Sequence, residues 1–482
     1  MWLLIILILV ILLLNFYIKY YLFCKYRIFS QDEFIHFSVI RLIRKDKRIP
    51  HIFSPFLMDE KHQLPFAYPP LMHYLLSFFS LEWVVRNRKI ISFSVDSANI
   101  ILLYFFSYFL VHSFIAAAQI ILIFLSISFA FTDNSLLIPR IFGVVIINLV
   151  MCLLAISSLT PLDITIILLL IVIGFVVSIF FLHKFTVQAL LLSILPLLFL
   201  PSYRSGVVIV ILSSTLILAL SKLYSQKILP EHISCIKKTY LQYKDVPFNL
   251  KGVIATIIYS MPFVLIIGFF LMDRLFFLAN NITKFMITWM VPLQIFSYLT
   301  TFIKPLRAAV GEGERYRMYN FYPTSFLLGY FLFNHWQISN LILVLLAVIP
   351  TPLLASRLTY RKIIYGYNRL TSEIEEVCNY IKTLPKENIW PMVSNISSAV
   401  AYFTQKKVLN CLNLDFVRQH PELFPSICKP YTEIIKEYNI DYILTEKSYL
   451  NSVKAIDQFK NENIELKTLY KTPNYLVYSV KR

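Results

Sequence analysis

Glycine is scarce in this chain, with nine in 482 residues. Acidic residues are outnumbered: 27 Asp and Glu face 45 Lys and Arg, a formal net charge of +18. The six cysteines (24, 152, 235, 378, 411 and 428) are scattered and form no CxxC, which excludes the common zinc and redox motifs. Cys378, Cys411 and Cys428 share the C-terminal part, where one disulfide remains open. There is no internal repeat and no low-complexity segment. The apolar N-terminus lacks the small-residue cleavage site of a secretory signal, and Asn15, Tyr17 and Tyr20 follow its core. It reads as a retained transmembrane helix.

What the chain has in excess is apolar sequence. It is 58% hydrophobic, with a mean hydropathy of +0.67, whereas soluble domains are roughly 45–50% apolar. This is the composition of a polytopic membrane protein. In a soluble protein the positive charge would suggest nucleic acid. Here Lys and Arg cluster between apolar runs, where orientation signals and anionic lipid explain them and no nucleic acid is needed. A spanning helix needs about 20 apolar residues. Candidate stretches are 3–23, 90–110, 114–131, 142–159, 164–182, 187–201, 206–221, 252–272, 284–301, 322–335 and 338–356, about eleven in all.

Arg357, Arg361 and Lys362 mark the membrane exit, giving a membrane domain over 1–356 and a small soluble α/β domain over 368–482. In that tail Thr371–Leu384 has helical spacing, with Ser372 as a plausible cap. Ile389–Val393 and Ile440–Leu444 read as strands, Pro430–Tyr438 as a helix, and Leu466–Tyr470 with Tyr475–Val480 as a terminal strand pair. The tail has no GxGxxG and no P-loop, hence no nucleotide site.

The chemistry-bearing residues lie between the apolar runs. Gln31-Asp32-Glu33-Phe34-Ile35-His36 follows the first helix. On a helix Asp32 and His36 are i,i+4 neighbours. A carboxylate there can be a general base, a ligand for a hard cation, or an ordinary solvated charge. Tyr68-Pro69-Pro70-Leu71 opens an apolar stretch carrying His73; it is either a proline-fixed helix start or a rigid rim. That stretch, 69–81, could cross the membrane or lie on it. Asp133 lies in a short polar connection, Thr132–Ser135, with Pro139-Arg140 behind it. Gly311-Glu312-Gly313-Glu314-Arg315-Tyr316-Arg317 holds two of the nine glycines beside two Glu and two Arg, with Lys304 and Arg307 upstream. Glycine permits close backbone approach and Arg binds phosphate bidentately; the plainer reading is a basic membrane-exit loop. His183-Lys184 ends another apolar run, as snorkelling residues do. Asp96 lies inside an apolar run, either as an intramembrane functional group or near enough to the helix end to reach water.

In this order the motifs resemble the GT-C superfamily of polytopic glycosyltransferases. That group includes protein O-mannosyltransferases, lipid A aminoarabinose transferases and oligosaccharyltransferase catalytic subunits. The resemblance is carried by QDEFIH, YPPLMHYLL, TDNS with the following PR, and GEGERYRMYNFYP, and covers roughly residues 1–356. It implies a sugar transferred from a polyprenyl-phosphate donor to a glycan, lipid or protein acceptor. It implies Asp32 as the catalytic acid of the first outer loop (26–89), with Glu33, His36 and Asp133 in the same catalytic group. Tyr68, His73, Arg140, His183, Lys184, Glu312, Glu314, Arg315 and Tyr316 fall to substrate and lipid phosphate, joined by Lys304 and Arg307. No cofactor is fixed; a divalent cation, Mg or Mn, on Asp32 and Asp133 is the open option. The chain departs from many oligosaccharyltransferases in having one acid rather than a DxD in the second loop. It also has no WWDYG-like signature.

A cytoplasmic N-terminus with 69–81 lying on the outer surface puts Asp32, Asp133, His183, the GEGERY loop and the tail outside. Arg86–Lys89 and the Lys-rich loop 222–251 run against the positive-inside rule in that arrangement. Two readings of other classes stand beside the enzyme. One is a transporter or flippase of lipid-linked sugars using Asp96 at mid-membrane depth. The other is a noncatalytic scaffold whose tail binds a partner.

Overall fold

In an apolar medium the backbone must satisfy its own N–H and C=O groups, so long apolar runs become helices. The computed structural model describes residues 2–481 apart from 26, 28, 63–67, 129–135, 231–232, 234–249, 304, 307–309, 311–312, 351–369, 393–395, 410–422, 424–426 and 448–454. The helices used below are, in chain order, α1 (Trp2–Asn15), α2 (Gln31–Asp46), α3 (Leu71–Leu76), α4 (Leu81–Val111), α5 (Phe114–Ser128), α6 (Pro139–Ser157) and α7 (Leu162–Leu182). They continue with α8 (Lys184–Ile194), α9 (Arg204–Leu220), α10 (Leu250–Met272), α11 (Asn281–Phe302), α12 (Glu314–Arg317), α13 (Phe321–Asn334) and α14 (Ile338–Val348). The tail adds α15 (Ser372–Thr383), α16 (Ser397–Thr404) and α17 (Tyr431–Glu437).

The chain divides into two compact units. The first joins Met1–Phe23 to Arg88–Arg361; the second joins Cys24–Asn87 to Lys362–Arg482.

In the first unit every apolar stretch expected from sequence contains a helix. Among the described residues five helices are long and apolar enough to cross a membrane: α4, α6, α7, Pro201–Leu220 (which contains α9) and α11. Others, such as α5 and α14, are shorter apolar helices. Polar side chains tie these helices together. Asn15 Nδ2 donates to Asp96 Oδ2 at 3.0 Å, linking α1 to α4. Asn148 Nδ2 donates to Asn99 Oδ1 at 2.9 Å, linking α6 to α4. The Ser107 and Tyr322 hydroxyls meet at 2.9 Å between α4 and α13. Asp96 is thus buried half-way along a 31-residue helix; it does not reach water at a helix end. Glycine allows a close approach at Gly329 of α13, where an added Cβ would stand 2.6 Å from Cγ1 and 3.0 Å from Cα of Ile120 in α5.

The second unit carries a five-stranded sheet. Its strands are β1 (Asn388–Pro391), β2 (Lys407–Val408), β3 (Tyr442–Glu446), β4 (Leu466–Lys471) and β5 (Tyr475–Val480), in the order β2-β1-β3-β5-β4. β1 is parallel to β2 and β3, while β5 is antiparallel to β3 and β4. The sequence reading located β1, β3, β4, β5, α15 and α17. It missed β2 and the helices α16 and Ala455–Asn461, which are short. Thr371 rather than Ser372 caps α15: its hydroxyl accepts from the Ile374 N–H at 3.2 Å. Cys378 and Cys428 are free thiols, and Cys411 lies outside the described residues.

Residues 24–87 fold onto the tail. Leu370 N–H donates to the Arg27 carbonyl at 3.2 Å, and the Arg27 guanidinium pairs with Glu375. The Arg41 guanidinium donates to the Tyr402 carbonyl at 2.7 Å and lies over its ring. Val408 N–H donates to the Pro55 carbonyl at 2.9 Å. Between Pro69 and Leu81 the helix α3 has six residues. That is about 9 Å of rise against a hydrocarbon core of about 30 Å, so α3 is too short to cross. Arg86, Arg88 and Lys89 lie within α4.

Two glycines give opposite expectations. Gly329→Ala forces a contact with the backbone of Ile120 and should cost about 1–3 kcal/mol. Gly174→Ala meets nothing within 4 Å and should be neutral or stabilising by up to about 1 kcal/mol. Thermal unfolding of the two detergent-solubilised variants checks the contrast; equal melting temperatures would refute it.

Candidate functional site

In the second unit the acidic motif opens α2. Ser30 is the N-cap: its hydroxyl accepts from Asp32 N–H at 3.2 Å, and its own N–H donates to Glu33 Oε2 at 3.1 Å. This is a capping box, in which the N3 carboxylate satisfies a backbone donor that the helix leaves open. Glu33 is fully buried in that role. Asp32 sits in the same first turn and is exposed.

One turn on, His36 faces His73 of α3. Nδ1 of His36 and Nε2 of His73 are 2.8 Å apart, and the Tyr68 ring lies 5.4 Å from one imidazole and 5.7 Å from the other. The two motifs read separately from sequence, QDEFIH and YPPLMH, thus meet through their histidines. The prolines set this up: Pro70 is the N-cap of α3, so the chain turns into the helix just before His73. Burial pushes the His73 imidazole down to about 3, and the Pro69 carbonyl, which favours the charged ring, offsets only part of that. His73 is therefore neutral throughout the physiological range.

In the first unit a second group forms around Tyr319. Its hydroxyl lies 2.9 Å from Thr186 Oγ1, and Thr186 Oγ1 lies 3.4 Å from His183 Nδ1. His183 is the N-cap residue of α8, and Arg140 stands in the first turn of α6 behind Pro139. Burial raises the Tyr319 hydroxyl to about 12, against the downward pull of Thr186, Arg140 and Arg315. Both guanidinium groups therefore act on the same phenol. The Arg315 guanidinium also lies 4.9 Å from the Phe185 ring centre, and Lys184 Nζ lies 5.9 Å from it. The Tyr316 hydroxyl lies 2.5 Å from Gln188 Oε1 and 2.7 Å from the Val310 carbonyl, and its one proton goes to one of these acceptors at a time. Two small residues make the packing feasible. A Cβ on Gly143 would stand 2.2 Å from Thr186 Oγ1, and one on Gly313 would stand 2.2 Å from the Ser297 carbonyl.

Arg140, His183, Lys184, Arg315 and Tyr316 are thus assembled in one unit, and Asp32, Glu33, His36, Tyr68 and His73 in the other. Asp133, Glu312, Lys304 and Arg307 lie outside the described residues. Glu314 begins α12, and its side chain is likewise outside the description. Among the described residues no group of three or more His, Cys, Asp or Glu stands ready for a metal ion. Sequence reasoning missed Thr186, Gln188 and Tyr319. Their signal was helical spacing: 183 and 186, and 316 and 319, are each three apart, which puts them on one face.

Neither protein-family models nor curated protein sequences match the chain. Solved structures do. The oligosaccharyltransferase of Archaeoglobus fulgidus superposes with a TM-score of 0.58 at 9% identity, over 99% of this chain and 74% of its own. ArnT of Cupriavidus metallidurans bound to undecaprenyl phosphate gives 0.53 at 9% identity, over 99% and 97%. The fold is the one these solved structures share. A further structure with this fold, the Archaeoglobus fulgidus oligosaccharyltransferase AglB with an inhibitory peptide and a dolichol-phosphate, gives 0.51 at 10% identity over 99% and 74%. At such identities the shared property is the fold.

Glu33→Gln keeps a hydrogen-bonding side chain at N3 and should leave stability near wild type, whereas Glu33→Ala should cost about 1 kcal/mol. Equal stability of the two by denaturant unfolding would remove Glu33 from the cap. His73 gives a pH signature. Its folded value lies below the unfolded 6.5, so native stability is full above that pH and falls as the unfolded chain takes up a proton between about 6.5 and about 3. His73→Leu should flatten this acid-side loss, as read by melting temperature from pH 7 to about pH 4.5; an unchanged slope would refute it.

Proposed function

We propose that the protein is a membrane glycosyltransferase that moves a sugar from a polyprenyl-phosphate donor to an acceptor at the outer membrane face. The observation that carries this is the GT-C fold along 99% of the chain, including 97% of an ArnT whose structure holds undecaprenyl phosphate. Asp32, exposed in the first turn of α2, is assigned the withdrawal of the acceptor's proton, with His36 one turn behind it. Asp133 is assigned to the same chemistry. Arg140, His183, Lys184, Arg315 and Tyr316 are assigned to the lipid phosphate. Cations held together against one phenol repel each other, and a phosphate relieves that repulsion while gaining charge as the sugar departs. The N-terminus is assigned to the cytoplasm and the tail to the outside. The apolar tail of the donor lies among the helices of the first unit.

The test is transfer of radiolabelled sugar from polyprenyl-phosphate donors in proteoliposomes. Asp32→Asn should lower the rate by roughly 100-fold or more at unchanged expression. Arg315→Ala should lower it by roughly 100- to 1000-fold. Wild-type transfer by Asp32→Asn would sink the assignment. Movement of the lipid across the bilayer with no transfer by the wild type would favour a transporter instead.

A further inference from the structure

One buried ring in the first unit meets three basic side chains. Phe185 stands in the first turn of α8 and is 9% exposed. The Arg315 guanidinium of α12 lies over its face, 4.9 Å from the centre, and the Lys184 ammonium lies 5.9 Å from it. Both fall within the roughly 6 Å at which a ring face attracts a cation. The His183 imidazole is 5.4 Å away, ring centre to ring centre. Arg315 and Lys184 are themselves half-buried, and loss of water strengthens such an attraction.

Two physical points give the ring a task beyond core packing. Lys184 is the first residue of α8, where the positive end of the helix dipole disfavours a cation. The ring supplies a compensating attraction. The second point is that a ring attracts a cation without cancelling it. A carboxylate would hold a guanidinium firmly, but it would neutralise the charge and take up N–H groups. The negative face of an aromatic ring holds the cation and leaves its full charge to act on a ligand. Both points stand whatever else Arg315 and Lys184 touch.

We infer that Phe185 is a positioning residue: its ring holds the Arg315 guanidinium and the Lys184 ammonium side by side, still charged, as a ready-made site for the phosphate of a lipid. This rests on the reading above that these cations meet the lipid phosphate, and it adds the residue that brings them together. Leucine at 185 would fill much of the same volume. It would attract neither cation, and the two would be left to their mutual repulsion.

The test uses the full chain in nanodiscs, with farnesyl phosphate as the probe and farnesol as its uncharged control. Phe185 is replaced by phenylalanines carrying one, two and three fluorines on the ring. That series keeps the shape of the ring and weakens its negative face step by step. The wild type should bind farnesyl phosphate more tightly than farnesol. Along the series the Kd for farnesyl phosphate should rise stepwise, by roughly 3- to 30-fold at three fluorines, and Phe185→Leu should match that last step. The Kd for farnesol should not move. A flat series for farnesyl phosphate, or an equal loss for farnesol, reduces Phe185 to packing and overturns the inference, even if Phe185→Leu fails to fold. In an Arg315→Gln background most of the fluorine dependence should vanish; its full persistence would show that the ring does not act through Arg315 and would also overturn the inference. A wild type that binds the phosphate no better than the alcohol would sink the phosphate assignment itself, a failure distinct from a flat series. Phosphate binding with the fluorine dependence but without sugar transfer would refute the transfer reading and leave Phe185 in its role.

Discussion

A polar group buried among apolar helices must be bonded to a neighbour, because no water is there to bond it instead. The first unit is organised by that constraint. Asn15 reaches Asp96, Asn148 reaches Asn99, Ser107 reaches Tyr322, and Gln294 both donates to Ser260 at 3.3 Å and accepts from Asn320 at 2.8 Å. Each contact joins elements that apolar packing alone would let slide, since one Leu-rich face fits another in many registers. In a membrane such bonds contribute roughly 0.6–2 kcal/mol apiece. Their larger effect is to select a single arrangement of helices. Asp96 belongs to this set: its carboxylate receives the Asn15 amide, which ties α4 to α1.

The same constraint builds the group around Tyr319. Burial keeps the phenol protonated, Thr186 supplies its partner, and the guanidinium groups of Arg140 and Arg315 lie near enough to pull against that burial. Gly143 and Gly313 are small because a hydroxyl and a backbone carbonyl occupy the space a side chain would need. The cluster of glycines in GEGERY therefore has a packing cause at Gly313, whatever chemistry its arginines perform.

The helical architecture was readable because apolar length is a strong signal, and the tail's strands were readable because their β-branched and aromatic runs are bounded by Asn and Pro. What could not be read were pairings distant in sequence. No local pattern joins residues 24–87 to the tail, although Arg27 with Glu375 and Arg41 with Tyr402 lie in one folded unit. Arg86–Lys89 looked like an orientation signal between segments; they lie inside α4, which begins at Leu81. The helix starts there because Ser77–Ser80 ends α3 early, and Arg44 donates to the carbonyls of Ser77 and Phe79. The motif residues were legible as types, but their partners were not. His36 and His73 are 37 positions apart, and only the fold reveals that each is the other's hydrogen-bond partner.

The two carboxylates of QDEFIH, equivalent in sequence, have different physical situations. Glu33 accepts a backbone N–H and is buried, so its task is to close the cap of α2. Asp32 is exposed in the first turn of the same helix. A change at position 33 therefore acts on the start of the helix, and a change at position 32 acts on what approaches it from outside. One turn on, His36 meets His73, whose ring burial keeps neutral. The contact between these two rings fixes the start of α2 against α3, so the acidic motif and the proline motif keep one geometry.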